Sequence, residues 1–191
     1  MARRPCRLRI QWTNKTISMQ HPSIRLRAVE PEDIDFIYRL ENDTENMDTS
    51  ENTELVSRYA IEQYVLGIGR GLFETGQLRL LIEAYDTGGN SPVGCIDLFE
   101  ADAINRRAGI GIYITAGEQK KGYASAALGM MIEYCFQKLS LHQLFCNIGQ
   151  ENTASMKLFE KHGFKVVGLK KDWRYHNKTW KHEYLLQLIN S

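Results

Sequence analysis

The feature that most constrains this fold is a strand, a short basic loop and a long apolar-faced helix in direct succession. The strand is AGIGIYI at 108–114, whose β-branched residues favour an extended chain. The helix carries apolar residues at intervals of three and four from Ala124 to Leu139, so one whole face can enter a core. Between them lies EQKKGYASAA at 118–127, which places two lysines where the helix begins. This segment therefore predicts a sheet edge, a loop and a helix N-terminus lying side by side.

The lysines of this loop predict an anion-binding site. The helix macrodipole makes a helix N-terminus positive, so lysines there are unfavourable unless an anion lies between them. Backbone N–H groups of the loop and first helical turn can converge on an anion, and Gly122 lets the backbone approach it without a Cβ. Lys120 and Lys121 add charge at the rim of this cradle. The alternative is a helix start whose lysines face only water.

The remaining pattern predicts one mixed α/β domain over 23–191, preceded by an irregular N-terminal extension at 1–22. GIGRG at 67–71 follows a helix rather than a strand, so it is interpreted as a helix end and loop, not as a dinucleotide-binding loop. DWRYHNKT at 172–179 is predicted as a loop between the last two strands. The other helices and strands are predicted at 23–28, 34–41, 55–64, 78–85, 93–100, 143–148, 153–162, 164–170 and 179–188. Asn152 is predicted to cap the helix at 153–162, and His162 is predicted to interact with the end of that helix.

Composition narrows the function classes. The 191 residues carry a formal net charge of +1, which argues against a nucleic-acid or membrane-surface binder. No apolar run reaches the length of a membrane span. The four cysteines lack CxxC spacing, and three lie in apolar segments, which favours reduced thiols in a cytoplasm over disulfides or a zinc site. We therefore expect a cytoplasmic protein without a metal centre.

Three motifs resemble the GNAT superfamily of N-acetyltransferases. QKKGYA at 119–124 resembles the family's Q/R-x-x-G-x-G/A signature. NRRAGIGIYI ahead of it is similar to the family's NRRAEIGYWI-type strand, and ENTASMKLFEKHGF behind it resembles the N-x-x-A/S-x-x-x-Y/F-x-x-x-GF helix and strand. Within the superfamily the chain looks most similar to bacterial spermidine acetyltransferases and ribosomal-protein N-terminal acetyltransferases. The resemblance implies a mostly antiparallel, splayed seven-stranded sheet flanked by about four helices.

The resemblance also implies an N-acetyltransferase that uses acetyl-CoA. In that family the cradle holds the pyrophosphate, and the pantetheine arm fills the gap between two splayed strands. The residues implied to bind the cofactor are Ile112, Tyr113, Ile114, Gln119, Lys120, Lys121, Gly122, Tyr123, Ala124, Ser125, Asn152, Ser155, Phe159 and Lys161.

Two positions depart from the family's catalytic pattern. The tyrosine that usually protonates the leaving thiolate is Phe159 here, and the glutamate of the RRAEIG strand is Gly109. Either another group protonates the thiolate, or the thiolate leaves without an acid, which a thiol pKa of about 8.5 permits. Glu100, which ends the strand facing the implied acetyl site, is the predicted base or amine ligand. The alternative is a solvated carboxylate at a strand end.

The predicted acceptor is a primary amine, either a polyamine-like small molecule or a peptide N-terminus. Acidic residues surround the joint between the first two helices, where a cationic amine would be attracted; solvated loop charges are the alternative. A homo-oligomer is compatible with this function. The second functional hypothesis is a GNAT module that binds CoA and has lost catalysis, with a regulatory role. The acidic residues are Glu41, Asp43, Glu45, Asp48, Glu51 and Glu54.

Overall fold

A seven-stranded sheet organises the computed structural model, which describes residues 22–43, 54–67, 71–86 and 89–190. Residues 1–21, 68–70 and 44–53 lie outside the described residues, and with them nearly all of the predicted extension, the centre of GIGRG and much of the acidic segment. The strands are β1 (Ile24–Ala28), β2 (Leu78–Asp86), β3 (Gly89–Asp102), β4 (Arg107–Ile114), β5 (Gln143–Gly149), β6 (Lys165–His176) and β7 (Thr179–Ile189).

The strand order is β1-β2-β3-β4-β5-β7-β6, and β4–β5 is the parallel pair of an otherwise antiparallel sheet. This confirms the predicted mixed architecture. The described part of the chain contains five α-helices, one of them a single turn that the sequence did not predict. They are α1 (Ile34–Glu41), α2 (Arg58–Gly67), α3 (Leu72–Thr75), α4 (Tyr123–Gln137) and α5 (Thr153–Lys161).

The strand predicted at 93–100 is longer, at Gly89–Asp102, and two other predicted boundaries are wrong for local reasons. Helix α2 begins at Arg58 rather than near residue 55, because Ser57 Oγ accepts a hydrogen bond from the Ala60 N–H (3.1 Å) and so caps the helix. The predicted loop at 172–179 is mostly strand. The turn between β6 and β7 consists of Asn177 and Lys178, whose positive φ angles of 49° and 61° suit a two-residue hairpin turn.

Each face of the sheet has its own apolar core. Helix α4 packs across β1–β4 and buries Ala127, Leu128, Met131 and Cys135 completely; we call this side the α4 face. On the opposite side, α1 and α2 pack over β2 and β3 in a smaller core; we call this side the α1/α2 face. Among the residues that the structure describes, no helix is long and apolar enough to cross a membrane.

The sheet splays open between β4 and β5. Their pairing covers residues 107–109 and 143–145, although β4 continues to Ile114 and β5 to Gly149. The wedge between their unpaired ends is called the gap. It exposes a strand edge on β4, and such an edge offers hydrogen bonds to an extended ligand.

Candidate functional site

The gap-facing backbone groups of β4 follow from its pairing with β3. The Thr115 N–H donates to the Val93 carbonyl (3.0 Å), so the odd-numbered residues of this stretch pair with β3. Alternation then turns the backbone groups of Ile112 and Ile114 toward the gap, whereas those of Tyr113 bond to β3. The Ile114 carbonyl accepts a hydrogen bond from Gln119 Nε2 (3.2 Å), which leaves Ile112 as the central gap-facing residue.

The loop after β4 has the conformation of an anion cradle. Lys120 (φ 62°) and Gly122 (φ 86°) are both left-handed, so the chain turns sharply into α4. Gly122 is the N-cap and provides no side-chain cap, and the Ala126 N–H donates to its carbonyl (3.1 Å). The N–H groups of the first helical turn come before this bond, so they have no acceptor within the helix and point out of its N-terminal end. The loop therefore fits a pyrophosphate group.

The C-terminal end of α5 contacts the first turn of α4. Lys161 Nζ donates to Ser125 Oγ (3.2 Å), and His162 Nε2 lies 2.9 Å from the same oxygen. Burial and, after it, the charge of Lys161 lower the pKa of His162. Asn152 Oδ1 accepts a hydrogen bond from the Ser155 N–H (3.0 Å), which confirms the predicted cap of α5. The structure thus brings the predicted residues Ser125 and Lys161 together.

Lys121 has a carboxylate partner beside the loop. Its Nζ lies 2.9 Å from Glu118 Oε2, in an exposed ion pair three residues apart. Such pairs are weak and screened by salt, so an anionic ligand can still compete for this lysine.

An aromatic ring covers the start of the gap on the α1/α2 face. Gly109 lies opposite Phe99 in the β3–β4 register, and a Cβ on Gly109 would overlap three ring carbons of Phe99. The ring packs edge-on against Phe145 of β5, with 5.8 Å between centroids. Position 109 therefore has no room for a side chain.

One strand position further along, the same face has space. Among the residues that the structure describes, a Cβ on Gly111 would meet only Phe99 Cε1 within 4 Å, at 3.8 Å. Asp97 lies opposite Gly111, and its two carboxylate oxygens accept hydrogen bonds from Arg79 Nε (2.9 Å) and Nη2 (2.7 Å). Arg79 Nη1 donates to Glu41 Oε1. The space over Gly111, called the slot, is thus bordered by a fixed carboxylate.

A cavity of about 280 Å³ lies behind Arg79, between α1, α2 and β2. Nearby, Tyr113 Oη donates to Asp43 Oδ2 (2.7 Å) and ties β4 to the residues after α1. Charged and apolar groups thus alternate between the cavity and the gap. The cavity is lined by Glu41, Val56, Ala60, Ile61, Tyr64, Gln77 and Arg79.

A family profile described as the acetyltransferase (GNAT) domain matches residues 23–165. The chain belongs to this family. It is 26% identical over 152 residues to spermidine N(1)-acetyltransferase of Escherichia coli K12, covering 76% of this chain and 75% of that protein. The spermidine N-acetyltransferase of Vibrio cholerae, solved with CoA and spermine, has a similar fold, with a TM-score of 0.79, 23% identity and coverage of 87% and 95%. A dodecameric structure of the Vibrio cholerae enzyme gives a TM-score of 0.73, 25% identity and coverage of 87% and 93%.

The family match and the fold establish a GNAT N-acetyltransferase with acetyl-CoA as its donor, as the sequence motifs implied. The splayed β4–β5 pair and the cradle lie where this family resemblance predicts them. The individual cofactor residues stay predictions, and the structure places them along the gap edge, the loop, the first turn of α4, and α5.

Phe159, which replaces the family's tyrosine, and Glu100, the predicted base or amine ligand, have different surroundings. Phe159 is 3% exposed and packs edge-on against Phe164, with 5.0 Å between centroids, so it belongs to the α4-face core. Glu100 lies in a β-bulge with φ 48°, and it is exposed to solvent. The role of Glu100 as base or amine ligand stays a prediction.

Sequence reasoning named Glu41 and Asp43 among the acidic residues of the α1/α2 face but missed Asp97 and Arg79. Asp97 interrupts an otherwise apolar strand, VGCIDLFE, and an acid inside such a strand was a usable signal. Its partner Arg79 is 18 residues away, and only the β2–β3 register brings the two together. His162 was assigned to the helix end, but it also contacts Ser125.

Proposed function

We propose that this GNAT acetyltransferase acetylates a primary amine of a polyamine-like small molecule. The observation that carries the proposal is the excess of carboxylates beside the gap. Glu41 and Asp97 share one guanidinium, that of Arg79, and Asp43 lies near them on the same face. A surplus of negative charge in a half-buried site attracts cationic ligands. The similarity to spermidine acetyltransferases supports the same acceptor class.

Different groups of the chain would bind different parts of acetyl-CoA. The cradle around Gly122 would hold the phosphates, and the Ile112 backbone would bind along the gap. Acetyl-CoA supplies an acetyl group activated as a thioester. The acceptor nitrogen gains a C–N bond as the C–S bond breaks, and of the two protons that an ammonium loses, one ends on the thiolate and one in solvent. Phe159 has no proton to give, so the thiolate is either protonated by another group or leaves as the anion and takes its proton from solvent.

The test is a thiol-release assay with mass spectrometry of the products. Spermidine, spermine and putrescine are compared with peptides that have free N-termini, and spermidine acetylated at both primary amines serves as the matched control. We expect an acetylated polyamine as the main product. If only the peptides are acetylated, the acceptor is a peptide N-terminus and not a polyamine. Tight CoA binding without turnover of any amine would instead support the second hypothesis, a GNAT module that binds CoA and has lost catalysis.

We also propose that the protein resides in a reducing compartment such as the cytoplasm. Cys95, Cys135 and Cys146 are buried free thiols. Burial raises the pKa of Cys135 to about 12 and raises that of the other two as well. Such thiols are unreactive core residues, which suits a compartment where thiols stay reduced.

We further propose that the chain forms homo-oligomers through β6. This strand is the last of the sheet, and Val166, Val167 and Leu169 are 45%, 53% and 42% exposed. An apolar edge strand favours pairing with another chain. Light scattering on a sizing column should show a multimer, and Val167→Lys should reduce its mass. A parent protein that elutes as a monomer at every concentration would contradict this proposal.

A further inference from the structure

The acceptor amine has a more specific site than the general negative charge indicates. We propose that Asp97 binds the amine that reacts, while Glu41 binds a second cationic group of the same acceptor, with Arg79 holding both carboxylates in place. This inference rests on the proposed amine-acetylating function and names the residues that select the amine.

The position of Asp97 follows from the register. It lies opposite Gly111 in an antiparallel pair, so its side chain is on the same face as the slot. Neighbouring strands lie about 4.8 Å apart, which brings the carboxylate within one strand spacing of β4. The gap-facing backbone of Ile112 follows Gly111 directly. An amine in the slot would therefore contact Asp97 at the edge along which the thioester binds.

The electrostatics favour a cation at this cluster. Arg79 donates to Asp97 in a bidentate pair and also to Glu41, so one guanidinium faces two carboxylates. The side chains of Arg79, Glu41 and Asp97 are 19%, 17% and 28% exposed. Burial opposes the charge of Arg79, but its bonds to Asp97 raise its pKa above the ordinary value. The cluster therefore keeps an unbalanced carboxylate in surroundings that strengthen charge interactions.

Glu41 lies at the other end of the cluster, on the cavity. The same cavity exposes the apolar side chains of Val56 and Ile61 and the ring of Tyr64. From β4 to β2 there are two strand spacings, about 10 Å. A flexible alkyl chain can lie over this distance with one nitrogen in the slot and another near Glu41. An acceptor with two separated ammonium groups fits this arrangement better than one with a single charge.

The experiment compares steady-state kinetics of Asp97→Asn, Glu41→Gln and the matched control Asp102→Asn, which changes an acid of the same strand outside the cluster. Acceptors are spermidine and a monoamine, propylamine. A hydrogen bond to a charged group is worth at least about a tenfold change in affinity, so Asp97→Asn should raise KM for both amines about tenfold or more. Glu41→Gln should raise KM for spermidine alone. KM for acetyl-CoA should change little, even where the loss of an ion pair to Arg79 lowers the Tm.

Several results would overturn the inference. An Asp97→Asn enzyme whose amine KM stays within twofold of the parent removes Asp97 from the acceptor site. A parallel rise in KM for acetyl-CoA with a fall in Tm makes its role structural. If Glu100→Gln alone reproduces the expected effect, the amine ligand is Glu100. A parent that turns over no amine refutes the proposed function instead, which separates the two failures.

A second variant covers the case in which Asp97→Asn does not fold. Asp97→Glu keeps the charge and an ion pair with Arg79 while moving the carboxylate by one methylene. We expect it to fold and to lose amine kcat/KM about tenfold, because a displaced carboxylate no longer orients the amine. Unchanged amine kcat/KM in this variant would also overturn the assignment.

Discussion

The cofactor loop and the acceptor face use different parts of the chain. In the proposed function, the loop would take its ligand groups from one continuous stretch, 112–125, and largely from the backbone. The acceptor face takes side chains from separate strands, with Arg79 on β2, Asp97 on β3 and the slot at Gly111 on β4. If these assignments hold, cofactor binding depends on local backbone conformation, whereas acceptor binding depends on strand register, side-chain volume and charge.

The largest expected effect tests the backbone half of this comparison. Gly122 has φ 86°, which a β-branched residue adopts only with strain, and its backbone must approach a phosphate. We expect Gly122→Val to weaken CoA binding about a hundredfold or more, by analogy with the loss of several charge-assisted hydrogen bonds, with the circular dichroism spectrum retained. Calorimetric titration with CoA measures this.

The matched control is Gly117→Val in the same loop, where an added Cβ would meet no atom of the described part of the chain within 4 Å. It should bind CoA like the parent. If Gly122→Val also binds normally, the loop is not the phosphate cradle, and the contrast between the two regions fails.

The second prediction tests side-chain volume on the acceptor face, where Phe99 packs over Gly109. A Cβ on Gly109 would overlap the ring of Phe99, so Gly109→Ala should cost about 1–3 kcal/mol in free energy of unfolding. Phe99→Leu in the same chain should recover part of the loss, because the shorter side chain makes room. Chemical denaturation of the four variants in this cycle measures the coupling.

Gly111→Ala is the control for that cycle, since its nearest neighbour would be at 3.8 Å, an ordinary contact distance. It should leave the free energy of unfolding nearly unchanged. Additive effects of Gly109→Ala and Phe99→Leu would show that the ring does not fill position 109 in solution.

At the cofactor loop, the charges of the lysine side chains should contribute less to CoA affinity than the backbone does. Replacing Lys120 and Lys121 together by alanine should weaken CoA about three- to tenfold, because exposed charges contribute little and Lys121 already pairs with Glu118. If one lysine reaches the 3′-phosphate, dephospho-CoA should lose less affinity, and the difference should shrink with added salt. Equal losses for both ligands would place the lysines on the pyrophosphate or away from the site.

Restoring the family's tyrosine should have a small effect. General acid catalysis is worth about a hundredfold when the geometry is right. Phe159 is buried against Phe164, so the site is not arranged for a hydroxyl. We expect Phe159→Tyr to change kcat by less than about tenfold without altering CoA affinity. A rise near a hundredfold would mean that the ring edge already points at the leaving sulfur.

The smallest expected effect is the pH dependence from His162. Its pKa is lowered in the folded state, so the unfolded chain binds the proton more readily. The stabilisation is present above the ordinary histidine pKa of about 6.5 and is lost as the pH falls through the lower folded value. His162→Gln can still contact Ser125 and should flatten the dependence of Tm on pH between neutral and acidic solution. An unchanged slope would assign the effect to other groups.

The two regions also differ in how far sequence predicts them. The loop, the Asn152 cap and most element boundaries were predicted because they depend on residues adjacent in the chain. The pairing of Asp97 with Arg79 depends on a strand register that contains a bulge at Ile82 and Glu83, which periodicity does not specify. The extension of β6 to His176 was missed because polar and aromatic residues there gave no apolar alternation.

The packing of Phe99 over Gly109 constrains how this lineage can change. A side chain can enter position 109 only after the residue at 99 has become smaller, because the reverse order passes through an overpacked protein. Side-chain volume at position 109 can therefore increase only after side-chain volume at position 99 has decreased. A relative with a carboxylate at the position of Gly109 should carry a smaller residue in place of Phe99. The order of these two substitutions is thus constrained, with the change at position 99 coming before the change at position 109.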